Sequence, residues 1–432
     1  MHSPRNSSPR WVANDNGRAI LLRFEIYDLY GVVLSMMRAL IFLGALVSVP
    51  FSIEAQAGDP HLQLAKRVLS SVPLFDGHND LPWAIRNADI PMDVRAYDIS
   101  RPAVGHTDLK RLREGGVGAQ FWSVYVPSTV MQTGDGARMQ LEQIDVALQL
   151  LSDHREDLGL ALTAADVMDV FHQGKVASML GMEGGHAIEN SLGALRAFYA
   201  LGVRYMTLTH SANVDWADSC CEAPELSGLS PFGEEVVREM NWLGMLVDIS
   251  HVSPGTMHDA LDVAEAPVIF SHSSAKAITN HPRNVPDDVL RRLPENGGVV
   301  MVTFVESFVN EVVRTYEGPT IGSTPADAPR ATLNDVADHI EHIRETAGIE
   351  HVAIGGDFDG IDRGPVGLED VSTYPALFAE LSRRGWTESE LRALAADNML
   401  RAMRAAEATA RRLQTERGPS TATIEELDGL VP

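Results

Sequence analysis

From Val72 to Asp357 the chain alternates apolar runs, each short enough to be a buried β-strand, with amphipathic helical stretches. The runs are 72–75, 118–126, 176–183, 203–210, 245–251, 268–272, 298–304 and 351–357. Helical spacing fills 139–154, 192–201, 232–243, 255–264 and 333–347, with a short helix within 61–72 and an alanine-rich helical tail over 387–413. Strands alternating with helices build a parallel sheet. Eight of them over about 300 residues predict a (β/α)8 TIM barrel rather than a doubly wound sheet. No Gly-x-Gly-x-x-Gly follows the first strand, which removes the main support for a dinucleotide-binding sheet.

The strand ends carry the chemistry. His78 with Asp80, Glu183, His210, His251, His272 and Asp357 close six different runs, and in a barrel those ends share one face. Alternation along a strand points His78 and Asp80 the same way. Each residue alone has an ordinary reading: a polar turn at Asp76-Gly77, a helix-capping Glu183, hydrogen-bonded core imidazoles at His251 and His272. Together His78, Asp80, Glu183, His251 and His272 predict a two-metal site. Glu183 is shared between the ions, because a carboxylate has two oxygens. A nitrogen-rich donor set favours Zn²⁺, with Mn²⁺ and Co²⁺ compatible. Two such ions hold a hydroxide and polarise a carbonyl, the apparatus of metal-assisted hydrolysis. Asp357 is the candidate base for the attacking water, with Asp359 expected to point away from it. His186, beyond two glycines, reads as structural. His106, His154, His172, His258, His281, His339, His342 and His351 receive no role, most of them reading as solvated.

Composition narrows the partners. At 45% hydrophobic and 22% charged, 432 residues can bury a sizeable core, and a net charge of −24 argues against nucleic acid. The only cysteines, Cys220 and Cys221, are adjacent, so no disulfide framework holds the fold. Near the N-terminus, Met36-Met37-Arg38 precedes an apolar run over 39–49 and an Ala55-Gln56-Ala57 site, the layout of a secretory signal peptide. The run is too short for a membrane span, so an uncleaved anchor is the weaker reading. Residues 1–57 are expected to be a signal region with translation starting at Met36 or Met37. Cleavage after Ala57 would leave 58–432 as one exported barrel domain with a helical C-terminal segment.

The motifs resemble those of the renal (membrane) dipeptidase family. They are Phe75-Asp76-Gly77-His78-Asn79-Asp80-Leu81-Pro82, Gly181-Met182-Glu183-Gly184, Leu208-Thr209-His210, Asp248-Ile249-Ser250-His251, Phe270-Ser271-His272-Ser273-Ser274 with Arg283-Asn284-Val285-Pro286, and Gly355-Gly356-Asp357-Phe358-Asp359-Gly360. The resemblance spans about Val68 to Leu400. It implies a metal-dependent, amidohydrolase-like barrel that hydrolyses dipeptides at a binuclear zinc site. His78 and Asp80 would bind one zinc, His251 and His272 the other, and Glu183 would bridge. It further implies that His210 contacts the substrate carbonyl and the developing oxyanion, that Arg283 holds the substrate's C-terminal carboxylate, and that Asp357 serves the bridging water. Animal members carry a lipid anchor and linking disulfides. Here the tail after Arg411 has no hydrophobic stretch, so no GPI anchor is expected, and the cysteine pair cannot supply the bridges. A homodimer is compatible with the resemblance. The rival hydrolytic reading is another small amide, a β-lactam or N-acyl amino acid; a metal-bound protein without catalysis is the remaining one. The loop 213–232, with Trp216 and both cysteines, is expected to border the pocket.

Overall fold

The computed structural model of the protein describes residues 59–316 and 328–430. The signal-peptide reading of 1–57 lies outside them. Among the described residues no helix is long and apolar enough to cross a membrane.

The strands are β1 (Leu74–Asn79), β2 (Val117–Ser123), β3 (Leu158–Leu160), β4 (Val176–Glu183), β5 (Val203–Thr207), β6 (Leu246–Asp248), β7 (Ile269–Phe270), β8 (Val299–Val302) and β9 (Val352–Ile354). All pairings are parallel, in the order β2-β1-β9-β8-β7-β6-β5-β4-β3. A further β2–β4 pairing, Ala119 against Ala177 through Ser123 against Gly181, closes the sheet into an eight-stranded barrel. The expected fold class holds with one addition. β3 pairs with the first residues of β4, Leu158 against Val176, before β5 pairs with β4 from Leu180 onward. At three residues β3 is too short to stand out as a strand.

The helices begin where capping chemistry places them. Ser230 accepts from Gly233 N ahead of Pro231–Leu243, and Ser253 from Thr256 N ahead of Pro254–Val263. In both, proline sits in the first turn, where its missing N–H has no partner to lose. The tail expected over 387–413 is two helices, Glu388–Arg392 and Asn398–Glu416, joined by a π-helical turn at Ala393–Asp397.

Barrel strands are buried on both faces. Inside, Phe121 packs 5.6 Å from Phe75 and 4.8 Å from Tyr205 by ring centroids. Gly181 matters here, because a Cβ at that position would stand 2.0 Å from the Tyr205 ring. The missing side chain lets the phenol cross the barrel interior.

Strands β5, β6, β7 and β9 end before their apolar runs do. His210, His251, His272 and Asp357 lie past the ends of β5, β6, β7 and β9, on the first residues of the following loops. His251 and Asp357 take left-handed backbone, φ 66° and 64°, uncommon for residues with a Cβ and typical of functional turns.

Candidate active site

His78, near the end of β1, is fully buried. Its Nδ1 lies 2.8 Å from the Tyr205 hydroxyl, reached across Gly181. Among the described residues its Nε2 has no hydrogen-bond partner, yet it stands 3.2 Å from Asp80 Oδ2, 3.4 Å from Glu183 Oε2 and 4.0 Å from Asp357 Oδ1. Asp76, read above as part of a turn, joins two strand ends. It accepts from His78 N at 3.1 Å, from Gly356 N at 2.9 Å and from the Tyr374 hydroxyl, and burial raises its carboxyl to about 6. Its alternation with His78 was the available signal.

Glu183 sits between two groups of imidazoles. Oε2 faces His78 and takes the Ser123 hydroxyl at 3.3 Å. Oε1 faces His251 Nε2 at 3.0 Å, His272 Nε2 at 3.3 Å and His210 Nε2 at 3.8 Å. The two nitrogens of His251 and His272 are only 2.9 Å apart. Three sets of ligand atoms each lie within 4.8 Å of one another: His78/Glu183/His272, Glu183/His210/His251 and His78/Asp80/Asp357. An orphaned, fully buried Nε2 ringed by carboxylates, and imidazole nitrogens crowded round one carboxylate oxygen, fit divalent cations. All five sequence-predicted ligands converge here, with His210 and Asp357 beside them.

The electrostatics follow from that crowding. Burial alone would lower His78, but Tyr205, Glu183 and Asp80 hold it well above the usual imidazole value. Burial would raise Glu183, and His78, His251 and His272 pull it well below. Burial raises Asp357 well above the usual carboxylate range, assisted by Asp80 and Glu183 and opposed by His78 and Arg283. His251 and His272 are pushed well below, by burial first and then by charged neighbours including Arg283. His210 is lowered, chiefly by burial.

Arg283 is 3% exposed and lines the same cavity, of about 300 Å³, together with the apolar side chains of Trp83, Tyr125, Val305, Phe308 and Ile361. Its guanidinium is braced by Ser273 Oγ at 3.3 Å and the His272 carbonyl at 3.2 Å. Trp83, on the short helix Leu81–Arg86, and Tyr125, just past β2, meet edge to face at 4.8 Å; neither was picked out from the sequence, since a single aromatic carries no ligand signature.

Asp359 does point away. Residues two apart on a strand share a face, but the chain has already left β9 at Ile354, and Asp359 takes a left-handed φ of 65°; it accepts from His106 N at 2.7 Å. Two expectations need correction. His339 and His351 are buried rather than solvated. The loop 213–232 contributes no side chain to the cavity lining among the described residues. It backs onto the site instead: Ser219 Oγ donates to the His210 carbonyl at 2.6 Å and Cys220 N to the His251 carbonyl at 2.8 Å. His186, with Nε2 2.9 Å from the Val126 carbonyl and its imidazole lowered to about 4, is structural as read.

Parallel barrels that gather imidazoles and carboxylates at the C-terminal mouth form the amidohydrolase-like class of metal-dependent hydrolases, and this chain is one of them. Comparison with known proteins narrows the class. The profile described as membrane dipeptidase (Peptidase family M19) matches residues 62–417. The chain belongs to that family and is a metallo-dipeptidase. It is 43% identical over 355 residues to the dipeptidase verJ of Clonostachys rogersoniana, a match covering 80% of this chain and 87% of that protein. A metallo peptidase from Rhodobacter sphaeroides, solved with a phosphinate mimic of the dipeptide L-Ala-D-Ala, is 28% identical, with a TM-score of 0.67 over 78% of this chain and 99% of that one. An amidohydrolase from Pseudomonas aeruginosa shares the fold at 23% identity, with a TM-score of 0.65 over 79% of this chain and 98% of that one.

Proposed function

We propose that the chain hydrolyses free dipeptides at a two-cation centre, with His78 and Asp80 on one ion, His251 and His272 on the other, and Glu183 between them. The observation that carries this reading is the division of Glu183, one oxygen toward His78 and the other toward His251 and His272. The nitrogen-rich donor set favours zinc. Bound there, the ions would supply an activated water and a Lewis-acid contact to the scissile carbonyl.

The protein's own groups do the rest. Arg283 pairs with the substrate's C-terminal carboxylate through its planar fork. His210 donates to the oxygen of that carbonyl as negative charge develops, an interaction worth about 3 kcal/mol in comparable sites. Asp357, whose raised carboxyl favours taking up a proton, accepts one from the attacking water and passes it to the leaving amine as the C–N bond breaks. A cavity of about 300 Å³ suits a ligand of dipeptide size. The phosphinate dipeptide mimic in the Rhodobacter structure is the ligand class we carry over to this chain. We further propose export after cleavage at Ala57, and a homodimer. N-terminal sequencing of the mature protein and sedimentation check these points.

The test is elemental analysis of the purified protein together with a dipeptide panel, each member paired with its C-terminal amide, with and without chelator. Two zincs per chain, chelator-sensitive cleavage and loss of activity on the amides are expected. Equal activity on the amides would move the substrate to another small amide, such as a β-lactam or N-acyl amino acid. Absence of bound metal after reconstitution with zinc would overturn the site.

A further inference from the structure

The second ring nitrogen of His272 begins a chain of hydrogen bonds that runs away from the cavity. His272 Nδ1 lies 2.8 Å from Ser271 Oγ, and Ser271 Oγ lies 2.6 Å from Asp248 Oδ2. Asp248, Ser271 and Thr207 are all fully buried. Four donors converge on Asp248. Ser250 N and Ser271 N reach Oδ1 at 3.1 and 2.9 Å, and the hydroxyls of Thr207 and Ser271 reach Oδ2.

Counting protons decides the direction of the chain. An ionised carboxylate only accepts, and a serine has one hydroxyl proton. Ser271 gives that proton to Asp248, so toward His272 it accepts. The ring proton of a neutral His272 therefore sits on Nδ1. The lone pair sits on Nε2, the nitrogen 3.3 Å from Glu183 Oε1.

We propose that Asp248 is a positioning residue that acts through Ser271 to hold His272 in the single tautomer able to bind a cation at Nε2. This rests on the metal-site reading of His272 above. Partners behind a ligating imidazole commonly change metal affinity about 10- to 100-fold.

Asp248 also joins β5, β6 and the turn after β7, so a purely structural role must be told apart. Three substitutions do so. In Asp248→Asn the amide oxygen stays with the two backbone N–H groups, which leaves the amide nitrogen facing both hydroxyls. That nitrogen donates to Ser271 Oγ, the serine hydroxyl turns toward His272 Nδ1, and the ring proton moves to Nε2, where it blocks the cation. Ser271→Ala removes the bias without reversing it. Thr207→Val removes a hydroxyl from Asp248 but leaves the Ser271–His272 contact in place.

The experiment titrates metal-free protein with Co²⁺, reads the visible absorption of the bound ion against a competing chelator, and records the thermal midpoint of each variant. Ser271→Ala is expected to weaken one Co²⁺ site about 10- to 100-fold, and Asp248→Asn to weaken it further. Thr207→Val is expected to lower the midpoint while binding Co²⁺ as the unsubstituted protein does. If Asp248→Asn does not fold, the contrast between Ser271→Ala and Thr207→Val still decides. Affinity that falls only in step with the midpoint across the variants, or that stays unchanged in Ser271→Ala, overturns the proposal. An unsubstituted protein that takes up no Co²⁺ instead overturns the metal reading, before any variant is made.

Discussion

Arg283 is a cation held almost out of water, and the way it is held limits what it can bind. Ser273 Oγ and the His272 carbonyl each take one of its five N–H donors, and its Cζ lies 5.5 Å from the Phe308 ring centroid. The remaining donors keep the planar geometry that matches a carboxylate, whereas a lysine would offer a point charge on a flexible stem. Arg283→Lys is therefore expected to lose about one charge-assisted hydrogen bond, about 1.5–3 kcal/mol, or a ten- to hundred-fold fall in kcat/KM on dipeptides. The loss should fall mainly on KM. Arg283→Met should lose more, and steady-state kinetics on a dipeptide and its C-terminal amide check both. A variant that weakens the two substrates equally would remove Arg283 from carboxylate recognition. Its position could not be read from spacing, because a loop arginine looks the same whether it is solvated or buried; the family motif alone pointed to it.

At the scale of strands and helices, the apolar runs were legible because burial on both faces demands unbroken hydrophobic stretches. Their ends were less so. His251 and Asp357 adopt left-handed backbone just past β6 and β9, a conformation that no residue pattern announces unless glycine occupies it. The hydrogen bonds behind the candidate ligands, through Tyr205, Asp76, Ser271 and Asp248, depend on the barrel's closure and so have no local signature. His339 shows the same effect on a helix. It lies on Leu333–Ala347, accepts from Ala275 N at Nδ1 (2.9 Å) and faces the Val309 carbonyl with Nε2 at 3.2 Å. It thereby fastens the segment that follows His272. Burial lowers its imidazole to about 4, with the neighbouring His342 adding to the fall and the Val309 carbonyl opposing it. The unfolded chain protonates this group near pH 6.5 and the folded protein only near 4. Between those values the unfolded state binds more protons, so stability falls as pH drops from about 6.5 to about 4, by about 3 kcal/mol in all. His339→Gln can keep an acceptor and a donor but cannot take up a proton. Urea unfolding across this pH range should show a shallower acid loss in the variant; parallel curves would sink the assignment.

On the scale of the whole molecule, the candidate site draws on β1, β4 and the segments that follow β5, β6, β7 and β9. Without cations, Asp80, Glu183 and Asp357 crowd one end of a barrel in a chain of net charge −24. Cations bound there would tie most of the barrel's staves together at one end, and they would bind the folded state alone. Linkage gives a stabilisation of about 2.7 kcal/mol when free metal is a hundredfold above its dissociation constant. The thermal midpoint of the zinc-loaded protein is therefore expected to lie several degrees above that of chelator-treated protein, and to rise with the logarithm of zinc concentration. The effect should fade on acidification, because imidazole and carboxylate ligands must be deprotonated to bind. Screening of the overall negative charge would also raise the midpoint, so sodium chloride at matched ionic strength is the necessary comparison. Sodium should reproduce little of the zinc shift, and Glu183→Gln, which removes the carboxylate facing both imidazole groups, should abolish most of it. A zinc shift that sodium matches, or that survives Glu183→Gln intact, would mean that the stabilisation comes from bulk charge and not from a centre built at the barrel mouth.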